Sequence, residues 1–186
     1  ITNSTISGNT AVQSGGGIRN AGALTIANSV VSQNIAETFG GGGIANISST
    51  ELRIDGSIIS DNEAPFGGGI DHSGSLLTIR NSTLAGNQAT GGLGGGAIGS
   101  SGLLTIDQST FNNNTANQGG ALLITSNTLN LNRSTLSGNL ASAQGGAIFN
   151  SAGTVNVNNS TIAFNFASGA GGGLAGESDS SLRNAL

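Results

Sequence analysis

"NSTISGNTA", residues 3–11, returns as "NSVVSQNIA" (28–36), "GSIISDNEA" (56–64), "NSTLAGNQA" (81–89), "QSTFNNNTA" (108–116), "RSTLSGNLA" (133–141) and "NSTIAFNFA" (159–167). Set in register, the asparagines Asn9, Asn34, Asn62, Asn87, Asn114, Asn139 and Asn165 are separated by steps of 25, 28, 25, 27, 25 and 26 residues. Serine stands five residues before each, from Ser4 to Ser160, and an apolar residue three before, from Ile6 to Ile162. Alanine follows two residues later, from Ala11 to Ala167. A fixed period of this size is the signature of a repeat architecture, so it takes precedence over every other local signal.

Two further blocks complete each period. Glycines lead into Ile18, Ile44, Ile70, Ile98, Leu122, Ile148 and Leu174. Apolar–polar–apolar triplets come next: "LTI" at 24, 77 and 104, "LRI" at 52, "LNL" at 129 and "VNV" at 155. Such alternation has the period of a strand, and no segment spaces its apolar residues as a helix would. Three short strands per period, divided by Gly, Ser and Asn turns, predict an all-β fold: a right-handed, single-stranded parallel β-helix of about seven rungs. At the ordinary spacing between strands, seven rungs stack to on the order of 34 Å.

Stacking explains why the same letters return. Each side chain lies over its equivalent, so the inward asparagines are expected to hydrogen-bond up and down a structural ladder, Asn9 to Asn165, that satisfies buried amides. The serines are expected to ladder beside them. Alanine recurs where a larger side chain would meet its own copies, and glycine where a turn or a close backbone approach excludes Cβ. The insert between the alanine and the glycines varies from "NQ" at 117 to "TGGLG" at 90, which places a variable loop on one edge.

Composition narrows the function. The chain has 186 residues with 33 Gly, one Pro and no Cys, Met, Trp or Tyr, and only 8% of residues are charged. All five basic residues are Arg, dispersed along a chain of net charge −4, which argues against a nucleic-acid partner. No apolar run approaches a membrane span. The absence of cysteine excludes a disulfide framework. The chain begins at Ile1, already inside a repeat, and is expected to form one β-helix domain over 1–186 within a longer protein. "ITNST" and "SLRNAL" begin and end at equivalent positions, and neither carries an obvious cap.

Several side chains carry groups capable of chemistry. Asp55, Arg80 and Asp107 fall at one outward position in successive rungs, seven residues before the ladder asparagine. A carboxylate pair so spaced is near the upper limit for an inverting glycosidase, but an alternating acid–base–acid column also avoids like-charge stacking, and that reading is favoured. Asp55, Asp61, Glu63 and Asp71 make the third rung the most acidic. Asp61 and Glu63 flank an inward asparagine, yet two carboxylates fall short of the six to eight oxygens that Ca²⁺ takes. His72, the single histidine, is equivalent to Asn20, Asn46, Ser100, Ile124, Asn150 and Gly176, a second and looser ladder, and reads as structural. "GLGGGA" at 92–97 lacks the helix a dinucleotide fingerprint needs. The "NST" sequons at Asn3, Asn81 and Asn159, and the one at Asn46, follow from the repeat. An outward column of Thr5, Thr83, Thr110, Thr135 and Thr161 resembles an ice-binding lattice, but Val30 and Ile58 interrupt it. No catalytic residue, cofactor or metal site is expected.

The combination of "STISGN", "GGGI" and "LTI" resembles the repeats of secreted or surface-exposed bacterial β-helix proteins of the cyanobacterial and planctomycete type. It is also similar to the GGAI/FxxN repeats of chlamydial polymorphic outer-membrane proteins, through "GGAI" at 95–98 and 145–148 and "FNNN" at 111–114. The resemblance implies an extracellular or cell-surface location and a non-enzymatic role as stalk, adhesin passenger or matrix component. Its partners would be surface glycans, other surface proteins or further copies stacked end to end in a filament. The alternatives are an ice-binding surface and a polysaccharide lyase or glycosidase.

Overall fold

Three of the turns in each coil are marked by a residue with left-handed backbone. One is the first residue of the nonamer, as at Asn28, Asn81 and Asn159, with φ near 48°. One precedes the ladder asparagine, as at Gly8, Gly86 and Gly138. The third is the first glycine of the pair, as at Gly41 and Gly95. Asparagine and glycine dominate these positions because their side chains, or lack of one, tolerate that conformation.

A computed structural model describes residues 1–48, 50–177 and 180–183, the last four by backbone alone. It contains four parallel seven-stranded sheets and, among the described residues, no α-helix. Sheet I runs from Thr5–Ser7 to Thr161–Ala163, sheet II from Thr10–Ala11 to Phe166–Ala167, sheet III from Ile18–Asn20 to Leu174–Gly176, and sheet IV from Leu24–Ala27 to Ser180–Arg183. Sheets I, III and IV are the three strand blocks of the sequence. Sheet II adds the short stretch after each ladder asparagine, where Ile35 donates its N–H to Asn9 O at 2.9 Å and Glu63 to Asn34 O at 3.0 Å. The fold is thus a parallel β-solenoid of about seven turns, with register like over like: Leu77 pairs with Leu52 and Leu104, Ile70 with Ile44 and Ile98. The last three residues of "SLRNAL" lie outside the described part; its first residues pair with sheet IV.

The interior is one continuous apolar column. A single coil contributes Ile59, Ile70, Leu77 and Ile79, each fully buried. At about 1.5–3 kcal/mol per side chain this burial drives folding, but one coil alone would leave the same side chains open above and below. The glycine pair is equally constrained. A Cβ on Gly120 would lie 2.2 Å from Gly146 O, whereas the next position accepts Ala97, Ala121 and Ala147.

Variation in coil length is spread over two turns, not confined to the one loop expected. The insert before the positive-φ glycine runs from residues 65–66 to 90–94, and the turn from sheet III to sheet IV also changes, with Leu24 six residues after Ile18 but Leu52 eight after Ile44. Both turns keep some backbone bonds to the next coil, as from Phe39 N–H to Gln13 O and from Ile47 N–H to Asn20 O, and the added residues are accommodated between these bonds while the strands on either side hold their register. Ala45 on the outward face of sheet III is buried, and the outward Leu123, Phe149 and Ala175 form a small apolar cluster against which Phe66, from one insert, packs.

Candidate functional site

The ladder asparagines form a single run of amides. Nδ2 of Asn9, Asn34, Asn62, Asn87, Asn114 and Asn139 each donates to Oδ1 of the next, at 2.9–3.0 Å. Each Oδ1 also accepts the backbone N–H of the asparagine one coil earlier. The second Nδ2 hydrogen reaches the carbonyl of the apolar residue in the preceding coil, as from Asn114 to Leu84 and from Asn139 to Phe111, both at 3.0 Å. One amide thus satisfies the polar backbone of a turn that faces the core. The serines ladder differently: each Oγ accepts the backbone N–H of the serine in the coil before and donates to a carbonyl two residues earlier, as Ser57 does from Ser29 and to Asp55.

His72 belongs to the second ladder. Asn20 donates to Asn46 Oδ1 at 2.7 Å, Asn46 Nδ2 donates to His72 Nδ1 at 3.0 Å, and His72 Nε2–H faces Leu103 O at 3.3 Å. Both ring nitrogens are occupied and the ring is fully buried, so burial holds its pKa down to about 4 and the imidazole stays neutral. The neighbouring Asp71 faces outward beneath Gly40, and desolvation pushes its carboxyl up to about 6. Asp61 and Glu63 are exposed, and among the described residues no group of three or more His, Asp or Glu gathers.

Arg80 is in register between Asp55 and Asp107, as the sequence spacing requires. The bonds run elsewhere. Arg133 makes a two-pronged ion pair with Asp107, with Nε to Oδ1 at 2.9 Å, and Asn81 donates to Asp55 at 2.9 Å. In both cases the left-handed turn residue reaches back one coil to the column aspartate. The paired carboxylate in turn raises the pKa of Arg133. Asp107, Arg133, Arg80, Thr105, Asn132 and Asn159 line a shallow open depression of about 320 Å³, which Asp55 does not border. The two carboxylates are therefore not brought into one groove. Asparagines continue the outer face, with Asn156 donating to Asn130 at 3.1 Å and Asn158 to Asn132 at 3.2 Å.

The threonine column also keeps its register, interrupted by Val30 and Ile58. A feature the sequence reading passed over lies on sheet II, its inserts and the turn before it, where Val12, Phe39, Leu93, Leu140, Phe164 and Phe166 are exposed. For Leu140 and Phe166 the signal was an apolar residue at a position that Thr, Glu or Gln holds in other coils. Phe164 is 94% exposed and holds φ at 58°, where three other coils carry glycine.

No curated protein and no solved structure matches the chain significantly. Residues 108–125 and 133–151 match the family model described as the Chlamydia polymorphic membrane protein repeat. The matches contain "FNNN" at 111–114 and "GGAI" at 145–148, so the resemblance read from the sequence holds for these repeats, on a chain that folds as a parallel β-solenoid.

Proposed function

We propose that this chain is a non-enzymatic structural and adhesive segment of a bacterial cell-surface protein. The observation that carries this reading is the ladder of Asn9 to Asn165, which commits the recurrent polar side chains to holding the coils in register and none of them to chemistry. The matched membrane-protein repeat supports a surface or outer-membrane association. A laddered column holds its outer faces and variable inserts in fixed positions, which suits display to a partner.

The test uses intact cells making the full protein. Antibodies raised against this segment are expected to label them without permeabilisation, and beads coated with the segment are expected to adhere to host or neighbouring cells while leaving polysaccharide chain length unchanged. Labelling that requires permeabilisation, or release of new reducing ends from a polysaccharide, would overturn the reading.

A further inference from the structure

We propose that the depression bounded by Arg80, Thr105, Asp107, Asn132, Arg133 and Asn159 binds a carboxylate-bearing glycan and leaves it intact. This names the partner class for the adhesive role above and rests on that reading.

Charge is the first argument. Two of the chain's five arginines and one aspartate meet here, so the site is locally positive on a protein of net charge −4. Asp107 engages Arg133 through both oxygens, which holds that guanidinium in place while most of its surface stays exposed. Arg80 is exposed, and among the described residues it makes no ion pair. One fixed and one uncommitted guanidinium present forked donors that match the planar geometry of a carboxylate.

The remaining groups select for sugar. Asn132 accepts from Asn158, which leaves its amide N–H groups as donors, and Asn159 and Thr105 add neutral donors and acceptors suited to hydroxyls. Arg80, Asp107 and Asn132 stand at one position in successive coils, roughly 4.8 Å apart, close to the span of one sugar ring, so a short extended glycan lying along the column meets a different side chain at each coil. The depression is open, as a polymer segment requires. No aromatic ring lines it, which disfavours a nucleic-acid base. With Asp107 held in an ion pair and Asp55 outside the site, no pair of carboxylates is poised for hydrolysis.

The test is titration of the ¹⁵N-labelled protein with a galacturonic acid hexamer, with cellohexaose as the neutral control, read at the arginine Nε–H signals. Signals of Arg80 and Arg133 are expected to move, with those of Arg19 and Arg53 unchanged and a dissociation constant of about 1 mM or tighter. Arg80→Gln is expected to weaken binding about tenfold without altering the unfolding midpoint, since the side chain is exposed. Unchanged signals at Arg80 and Arg133, equal shifts at all arginines, equal binding of cellohexaose, or unaltered binding by Arg80→Gln would each overturn the proposal. Adhesion of the coated beads reads the adhesive role independently, so failure of one is distinguishable from failure of the other.

Discussion

Two of the corners that carry inward polar residues behave differently. At the corner between sheets I and II every coil has asparagine, and each amide joins the next. Beyond sheet III the equivalent residues are Asn20, Asn46, His72, Ser100, Ile124, Asn150 and Gly176. There the solutions are mixed: Asn20, Asn46 and His72 bond from coil to coil, but Ser100 bonds Gly102 O and Asn150 bonds Gly153 O within their own turns, and Ile124 is buried with no side-chain bond to make. The lesson is that asparagine recurs where one turn orphans both a donor and an acceptor that only a neighbouring coil can satisfy. Where each turn closes its own bonds, and its length varies, the side chain is free to vary as well.

The contrast breaks most sharply at mid-ladder. Asn114→Leu keeps the branched shape but strands Leu84 O, Asn87 Nδ2 and the Asn87 N–H, and is expected to lower stability by about 4 kcal/mol. Urea unfolding measures it; a change under 1 kcal/mol would show that the ladder is incidental. Gly120→Ala comes next, at about 3 kcal/mol, because its Cβ would drive into Gly146 O, a backbone atom with no rotamer to change. A loss no larger than that of an exposed substitution would refute this packing argument.

The second corner responds to pH. His72 is neutral in the fold with a pKa near 4, so the unfolded chain takes up the extra proton as pH falls from 6.5, and stability drops through that window by up to about 3 kcal/mol. Asp71 has the opposite sign. Its folded carboxyl keeps its proton up to about pH 6, whereas the unfolded one releases it near 4, so stability rises as pH falls from 6 to 4, by about 2 kcal/mol given partial exposure. The two adjacent residues offset each other. Relative to the parent chain, Asp71→Asn is expected to lose stability on acidification from pH 6.5 to 4, and His72→Asn to gain it. Parallel pH profiles for all three proteins would contradict the assignment.

Smaller effects complete the series. Asn20→Ser removes one rung of the loose ladder at its partly exposed end and is expected to cost about 1 kcal/mol, a fraction of the loss at Asn114. Phe164→Gly is expected to stabilise by about 1 kcal/mol, because it relieves a left-handed backbone without removing buried surface. A thermal midpoint that falls in this variant would place Phe164 in a packing role that its 94% exposure denies.

The fold was legible because the period repeats backbone geometry directly. Ser57 and Asn62 recur in every coil as Ser82 and Asn87 do, and those spacings give strand, turn and inward face at once. His72 was placed correctly by equivalence alone, since its position carries asparagine in three other coils. The surface was less legible. Register puts Arg80 beside Asp107, but the bond goes to Arg133, whose left-handed turn aims its long side chain back one coil. Sheet II was hidden by its two-residue strands, too short for alternation to show. The packing of Phe66 against the outward cluster of Leu123 and Phe149 comes from an insert with no period to read.

The sequence by itself determined the coil, its register and its amide ladder, because these arise from contacts between a residue and its own copies, and the repeat writes both partners of each contact. Only the tertiary structure decided which outer side chains meet, as at Asp107 and Arg133, and which insert packs against sheet III. Those contacts join unlike positions, and their geometry is set by turn conformation and side-chain reach after the coils have stacked.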